Sequence, residues 1–168
     1  MIYTATFNAV AVTAAQDVFE LVAPANSAVR IRECRIGQYT DFGDAAAEIL
    51  SVLIIRGYTV SGSGGTSVTP ANVKGLTGSL AASSTVEANN TTVANTGTPI
   101  TLYSDVWNIA TPWWFAPSMP SPRSGWWGEH LIIAPSQRVV VRITAPADSI
   151  TVNGTLVFEE TGYPGTIT

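Results

Sequence analysis

The sequence contains little of the side-chain chemistry on which enzymes depend. Its 168 residues include one histidine, one cysteine and one lysine, which are His130, Cys34 and Lys74. A single cysteine excludes an internal disulfide and any metal site built from several thiolates. A Ser-His-Asp triad would have to use His130, and the sequence has no Gly-X-Ser-X-Gly turn to present a nucleophile. We therefore predict a protein that is not an enzyme, with no cofactor and no metal site.

Charged residues are also scarce, which limits the classes of partner. They make up 12% of the chain, the formal net charge is −4, and the seven arginines form no basic run. Nucleic-acid binding normally needs clustered Lys and Arg, so we expect no nucleic-acid partner. No apolar run reaches the roughly 18 residues of a transmembrane helix, and we identify no signal peptide, so we expect no membrane partner.

Hydrophobic residues, in contrast, are abundant. They make up 46% of the chain, and the mean hydropathy is +0.24. This composition indicates a folded chain with a substantial core. Because so few residues are charged, we expect part of the apolar surface to be covered by other subunits. The alternative is that all of it fills the core of a single subunit.

Short runs rich in Val, Ile and Thr, separated by Gly, Pro, Asn and Ser, predict β-strands along the chain. Their turns are closely spaced, which is typical of a sandwich or jelly roll. We predict an all-β, antiparallel, jelly-roll-like β-sandwich of about eight to ten strands, in one domain over residues 1–168. Long loops are expected at about 60–84 and 109–129. The predicted strands cover 2–12, 17–22, 28–39, 85–93, 100–107, 130–134, 137–144 and 149–159.

Residues 28–39 change their side-chain parity in mid-strand. Val29 and Ile31 share one face, but the next apolar pair, Cys34 and Ile36, falls on the opposite parity. One extra residue near Arg32–Glu33 would restore a common face, which predicts a β-bulge there. The alternative is a regular strand with one charged, solvated face.

The dipeptide Asn153-Gly154 would normally indicate a hairpin turn. Here the apolar residues keep one phase straight through it, namely Ile150, Val152, Leu156 and Phe158. We therefore predict one unbroken strand, with Gly154 facing inward where a neighbouring side chain packs closely.

Residues 45–58 are compatible with either a helix or a strand. Asp44 could cap a helix and Gly57 could end it. However, Ile49–Ile55 is apolar on nearly every side and rich in β-branched residues, which is typical of a strand buried on both faces. We favour the strand, because the surrounding sequence predicts strands.

An aromatic cluster in the Pro-rich segment is the candidate interaction site. Exposed indoles there could anchor a protein interface or stack on sugar rings. They could equally fill one end of the sandwich core. The cluster consists of Trp113, Trp114, Phe115, Trp126 and Trp127.

Other candidate sites are weaker. Cys34 lies on the apolar parity of its strand, which predicts a buried, inert thiol. Gly62–Gly65 is not followed by the Gly-Lys-Ser/Thr of a phosphate loop. Asp41 and Asp44 could supply oxygen ligands to calcium, but a turn stabilised by their side chains explains them better.

Three stretches of the chain resemble a set of small phage and prophage virion proteins. They are AAQDVFELVAPANSAVRIRECRIGQYTDFGDAAAEILSVLIIRGYTVSGSGGTSVTP, TVEANNTT and PSQRVVVRITAPADSITVNGTLVFEE. The shared pattern includes GDA, RG, SGSGG and APADS, followed by GTLVFEE. The resemblance covers most of the chain and is weakest in the Trp-rich segment, which contains none of the shared motifs. They are structural rather than catalytic.

The resemblance implies a jelly-roll-like structural protein of a tailed-phage particle. The role it implies is that of a capsid decoration (cement) protein, a homotrimer that binds the major capsid protein on the outside of the shell. It would be made in the host cytoplasm and located on the virion. The resemblance implies no catalytic residues. The alternative is a carbohydrate- or receptor-binding module of a tail or head fibre that uses the Trp-rich loop.

Overall fold

The structure, a computed structural model, describes residues 1–39, 48–75, 81–116 and 131–162. These residues form twelve β-strands. The four ranges contain no helix, and therefore none long and apolar enough to cross a membrane. The strands are β1 (Ile2–Val12), β2 (Gln16–Val22), β3 (Ser27–Gln38), β4 (Ile49–Tyr58), β5 (Thr66–Val68), β6 (Ala71–Asn72), β7 (Thr85–Asn90), β8 (Gly97–Asn108), β9 (Trp113–Phe115), β10 (Leu131–Ile133), β11 (Arg138–Ile143) and β12 (Ile150–Gly162).

The strands form two antiparallel sheets, which confirms the predicted β-sandwich. The first sheet has the order β10-β3-β12-β1-β6, with β9 also paired to β3, and the second has the order β5-β7-β2-β11-β4-β8. The first strand thus pairs with the last and the second with the penultimate. The third and fourth strands pair with the other edges of those same two strands. This nested pairing is the jelly-roll arrangement.

The number of strands differs from the prediction because four of them are very short. Eight strands have six or more residues, whereas β5, β6, β9 and β10 have two or three. Strands this short show little alternation, and of the four only β10 was predicted, at 130–134. The predicted loop at 60–84 therefore contains two short strands. The loop prediction for 109–129 is wrong at β9, which pairs with β3.

The bulge predicted in β3 is confirmed. In the pairing with β12, Val157 lies opposite Glu33 and Phe158 lies opposite Ile31, so Arg32 is the extra residue. The bulge returns both Ile31 and Cys34 to the buried side of the sheet. Because alternation has a period of two, the hydrophobic pattern alone located this irregularity.

The unbroken final strand is also confirmed. β12 passes through Asn153 and Gly154 without a turn and keeps its register with β3 there, while the pairing with β1 shifts by one residue between Phe7 and Val10. A Cβ atom on Gly154 would lie 2.6 Å from Cζ of Phe7 and 2.9 Å from Cε2 of Phe19. Glycine is therefore required here because two aromatic rings occupy the space of a side chain.

Residues 49–58 form a strand, as favoured by the sequence, but the strand is not buried on both faces throughout. Ile54 packs in the main core between the sheets, and Ile55 packs in a smaller cluster on the outer side. Ile49, at the start of the strand, is 65% exposed. The prediction of burial on both faces is wrong at this end, because no described loop covers the outer face there.

The core between the sheets is formed by the inward residues of the eight long strands, together with Trp113 and Phe115 of β9 and Ile133 of β10. Its largest fully buried side chains include Trp107, Tyr3, Phe19 and Phe158. The side chains of β11 alternate between the two faces of the sheet, since Val139, Val141 and Ile143 belong to this core and Val140 to the outer cluster.

Candidate interaction surfaces

The predicted aromatic cluster is divided between the core and the surface. Trp113 is 4% exposed and Phe115 is 8% exposed, whereas Trp114 is 54% exposed. Successive side chains of a strand point to opposite faces, so pairing of β9 with β3 turns the central residue outward. Trp126 and Trp127 lie outside the described residues.

The two buried aromatic residues pack against the edge of the second sheet. The rings of Trp113 and Phe115 are stacked with centroids 6.2 Å apart, and the Tyr103 ring lies 4.7 Å from that of Phe115. Trp113 Nε1 donates a hydrogen bond to Asp105 Oδ2 at 3.1 Å. The pKa of Asp105 is lowered, first by the backbone N–H of Val106 and then by Trp113. These contacts give both aromatic residues a structural role.

Trp114 forms an exposed pair with Arg35 on the outer face of the first sheet. The two residues lie opposite each other in the β3–β9 register, and Arg35 Cζ is 5.9 Å from the indole centroid. The Arg35 side chain is 60% exposed, and its only ion pair in the described structure is with Glu33 at 3.6 Å. Since that distance is too long for a hydrogen bond, the guanidinium N–H donors remain available.

A shallow depression of about 190 Å³ adjoins this pair. Gly37 contributes to its lining, and a Cβ atom there would meet nothing within 4 Å. Asn153 lies directly opposite Gly37 in the pairing of β3 with β12, and Thr155 lies opposite Arg35. The lining residues are Arg35, Ile36, Gly37, Pro112, Asn153, Gly154 and Thr155. We call this site the Arg35 depression.

A second exposed surface lies on the outer face of β4 and β8. Ile49 is 65% exposed and Val106 is 66% exposed. Ser51 pairs with Val106 and Leu53 pairs with Ser104, so these side chains share one face. We call the five residues Ile49, Ser51, Leu53, Ser104 and Val106 the β4–β8 surface. None of these five residues is charged. Two of them lie on β8, which is an edge strand of the second sheet.

The opposite half of the same sheet face is covered, and its charged residues are paired. Asp17 and Glu20 are 0% and 2% exposed. Asp17 accepts hydrogen bonds from Nε of Arg142 at 2.6 Å and from the backbone N–H of Ala94 at 2.8 Å.

Glu20 is held in the same way by a different loop. It forms an ion pair with Arg138 and accepts hydrogen bonds from Ser61 Oγ at 2.6 Å and Gly62 N at 3.0 Å. The residues of the SGSGG motif thus cover the sheet. A Cβ atom on Gly65 would lie 2.5 Å from the carbonyl oxygen of Ala88. This motif therefore has a structural role and leaves no room for a phosphate.

Of the remaining candidate residues, the structure describes Cys34. Cys34 is buried, and burial raises the pKa of its thiol, with the Glu33 carboxylate adding to the effect. Among the described residues, no group of three His, Cys, Asp or Glu side chains could hold a metal ion. His130, Asp41 and Asp44 lie outside the described residues.

Sequence reasoning missed Arg35 and the β4–β8 surface. The parity of residues 100–107 contained a signal for the latter, because a buried Trp107 requires the side chain of Val106 to point the other way. No comparable signal existed for Arg35. Its proximity to Trp114 depends on the pairing of β9 with β3, which brings together residues 79 positions apart.

Comparison with known proteins gives little further information. No protein-family model matches the chain, and no curated protein matches it. Among solved structures, a T13 IBDV viral particle gives 14% identity over 98% of this chain and 40% of the other, with a TM-score of 0.18. The infectious bursal disease virus Gt strain gives 15% identity over 98% and 42%, with the same TM-score. The chain spans about two fifths of either protein, and TM-scores this low carry no structural argument.

Proposed function

We propose that this protein is a non-enzymatic structural component of a tailed-phage virion, a decoration protein that binds the outside of the capsid as a trimer. The observation that carries the proposal is the β4–β8 surface. Two branched apolar side chains are about two-thirds exposed there, Ile49 on β4 and Val106 on the edge strand β8. Such a surface is typical of one that is covered in an assembly.

The motifs of the sequence resemblance support the same role, because they stabilise the scaffold. Within SGSGG, Gly62 donates to Glu20, and Gly65 allows β7 to approach. Within GTLVFEE, Gly154 makes room for Phe7. A protein whose characteristic residues maintain a rigid sandwich is suited to holding neighbouring subunits together. It stabilises the shell by binding only the assembled lattice.

The test begins with the mass of the purified protein, measured by light scattering during gel filtration. We expect a trimer that persists on dilution and that binds capsids lacking this protein. The variant Ile49→Lys/Val106→Lys should lose self-association while retaining its thermal unfolding transition. Ile132→Lys is the matched control, since Ile132 is 50% exposed on the other sheet. A monomer that also fails to bind capsids would contradict the proposal.

The second candidate function is a carbohydrate- or receptor-binding module. The observation that favours it is the exposed indole of Trp114 beside the Arg35 depression. Small-ligand sites commonly combine an exposed aromatic ring with unpaired polar side chains. Titration of tryptophan fluorescence with a glycan panel tests this function, and no response from any glycan would contradict it.

A further inference from the structure

We propose that the Arg35 depression binds a carboxylate-bearing sugar, such as a uronic acid residue of an acidic polysaccharide. This inference deepens the carbohydrate-binding function proposed above and rests on it. It is independent of the capsid role, because the depression lies on the outer face of the first sheet and the β4–β8 surface lies on the second.

The first argument is that Arg35 has unused hydrogen-bond donors. Within the described residues it donates no hydrogen bond, and its ion pair with Glu33 is 3.6 Å long. Other arginines of the chain differ, since Arg32 and Arg142 donate directly to carboxylates. A guanidinium offers paired N–H groups that match the two oxygens of a carboxylate.

The second argument is that Trp114 orients this guanidinium. The indole lies 5.9 Å from Arg35 Cζ and is 54% exposed. An arginine that packs on an aromatic ring keeps its in-plane N–H groups free for a ligand. The exposed part of the same indole offers an apolar face for the carbon skeleton of a sugar ring.

The third argument is that the depression provides the polar lining a sugar requires. Asn153 accepts a hydrogen bond from Ala9 N through Oδ1, and within the described residues its Nδ2 donates to no protein atom. The hydroxyl of Thr155 likewise donates to none there. Both side chains line the depression and can bond sugar hydroxyls.

The fourth argument concerns size and charge. The depression of about 190 Å³ is smaller than the roughly 300–1,000 Å³ of pockets for drug-sized ligands, which suits a single sugar unit. Glu33 is the carboxylate already beside Arg35, and it would oppose a second anion. Its contact with Arg35 is long and exposed, so a ligand that bonds Arg35 directly can displace it.

The experiment uses the full chain and two matched probes, a galacturonic acid hexamer and its methyl ester, which lacks the charge. We expect calorimetry to detect the acid and to give at least tenfold weaker binding of the ester. Arg35→Gln should lower affinity for the acid about ten- to hundredfold, and Trp114→Ala should abolish it. Gly37→Val should also abolish binding, since its side chain would enter the depression, where a Cβ atom meets nothing within 4 Å. Lys74→Gln, which removes a distant positive charge, should have no effect.

Three results would overturn the inference, and the first two differ in what they say about carbohydrate binding. If the ester binds as well as the acid and Arg35→Gln has no effect, the acidic class is wrong but a Trp114-dependent sugar site remains. If neither hexamer nor any member of a neutral glycan panel binds, the carbohydrate-binding function fails as well. Binding of the acid that Lys74→Gln weakens as much as Arg35→Gln would also overturn the inference, because it would reflect nonspecific attraction.

Discussion

The indole of Trp113 on β9 donates a hydrogen bond to Asp105 on β8, so a buried side chain of the first sheet is tied to the edge strand of the second. Asp105 also accepts from the hydroxyl of Tyr103 at 3.2 Å. Replacing Asp105 with Ala leaves the buried Trp113 N–H without a partner, so we expect a loss of about 1–3 kcal/mol in the free energy of unfolding. Urea denaturation measures this loss. Asp148→Ala, at an exposed position, is the control, and equal stability of the two variants would contradict the prediction.

The carboxylates of Asp105 and Glu159 predict how stability depends on pH. Hydrogen bonds lower the pKa of Asp105. For Glu159, burial raises the pKa, but the hydrogen bond and charge of Arg32 together with the charges of Arg30 and the N-terminal amine lower it overall. A carboxyl whose pKa is lower in the folded state stabilises the fold above its unfolded value of about 4. We therefore expect the free energy of unfolding to fall as the pH drops below about 4. Glu159→Gln should show a smaller fall, and an unchanged slope would contradict this assignment.

Gly154 provides a test of the packing between the sheets. A methyl group there would lie 2.6 Å from Cζ of Phe7, so Gly154→Ala should destabilise the protein by about 1–3 kcal/mol. Gly37→Ala, in the adjacent strand, meets no atom within 4 Å and serves as the matched control. Thermal unfolding of both variants gives the comparison. Adding Phe7→Leu should recover part of the loss, because the ring that clashes is removed.

Features that depend on strand periodicity were predictable from the sequence, whereas features that depend on long-range pairing were not. The bulge at Arg32 and the inward Gly154 follow from the alternation of neighbouring residues within one strand. The burial of Glu20 depends instead on a loop 41 residues away, which donates from Ser61. The exposure of Trp114 likewise depends on which strand β9 joins. Composition predicts that an aromatic cluster will either be buried or bind a partner. Which of its members faces outward depends on the pairing of β9 with β3.

Cys34 is expected to react only after unfolding. Its side chain is buried, so a reagent cannot reach the sulfur in the native state. Burial also raises the pKa of the thiol, so the reactive thiolate does not form there. In water at neutral pH, labelling with a thiol reagent should proceed at the rate of unfolding. In denaturant, labelling should be rapid. The control is the rate of the same reagent with a free thiol. Rapid labelling of the native protein would show that β3 opens locally.

The pair formed by Asp17 and Arg142 gives the largest expected effect of a single substitution. Asp17 is fully buried and accepts two hydrogen bonds from the guanidinium, which also donates to the carbonyl of Ala94 at 2.7 Å. Arg142→Met would leave a buried carboxylate without its counter-ion, so we expect a loss of about 3–5 kcal/mol. The double variant Asp17→Asn/Arg142→Met should be more stable than Arg142→Met alone, because it removes the unpaired charge. Arg56→Met is the control, since Arg56 forms no ion pair with any described residue. Arg142 also donates a hydrogen bond to the hydroxyl of Tyr58 at 3.1 Å. If the double variant is less stable than Arg142→Met, the loss arises from the arginine's contacts with Ala94 and Tyr58 and not from the buried charge.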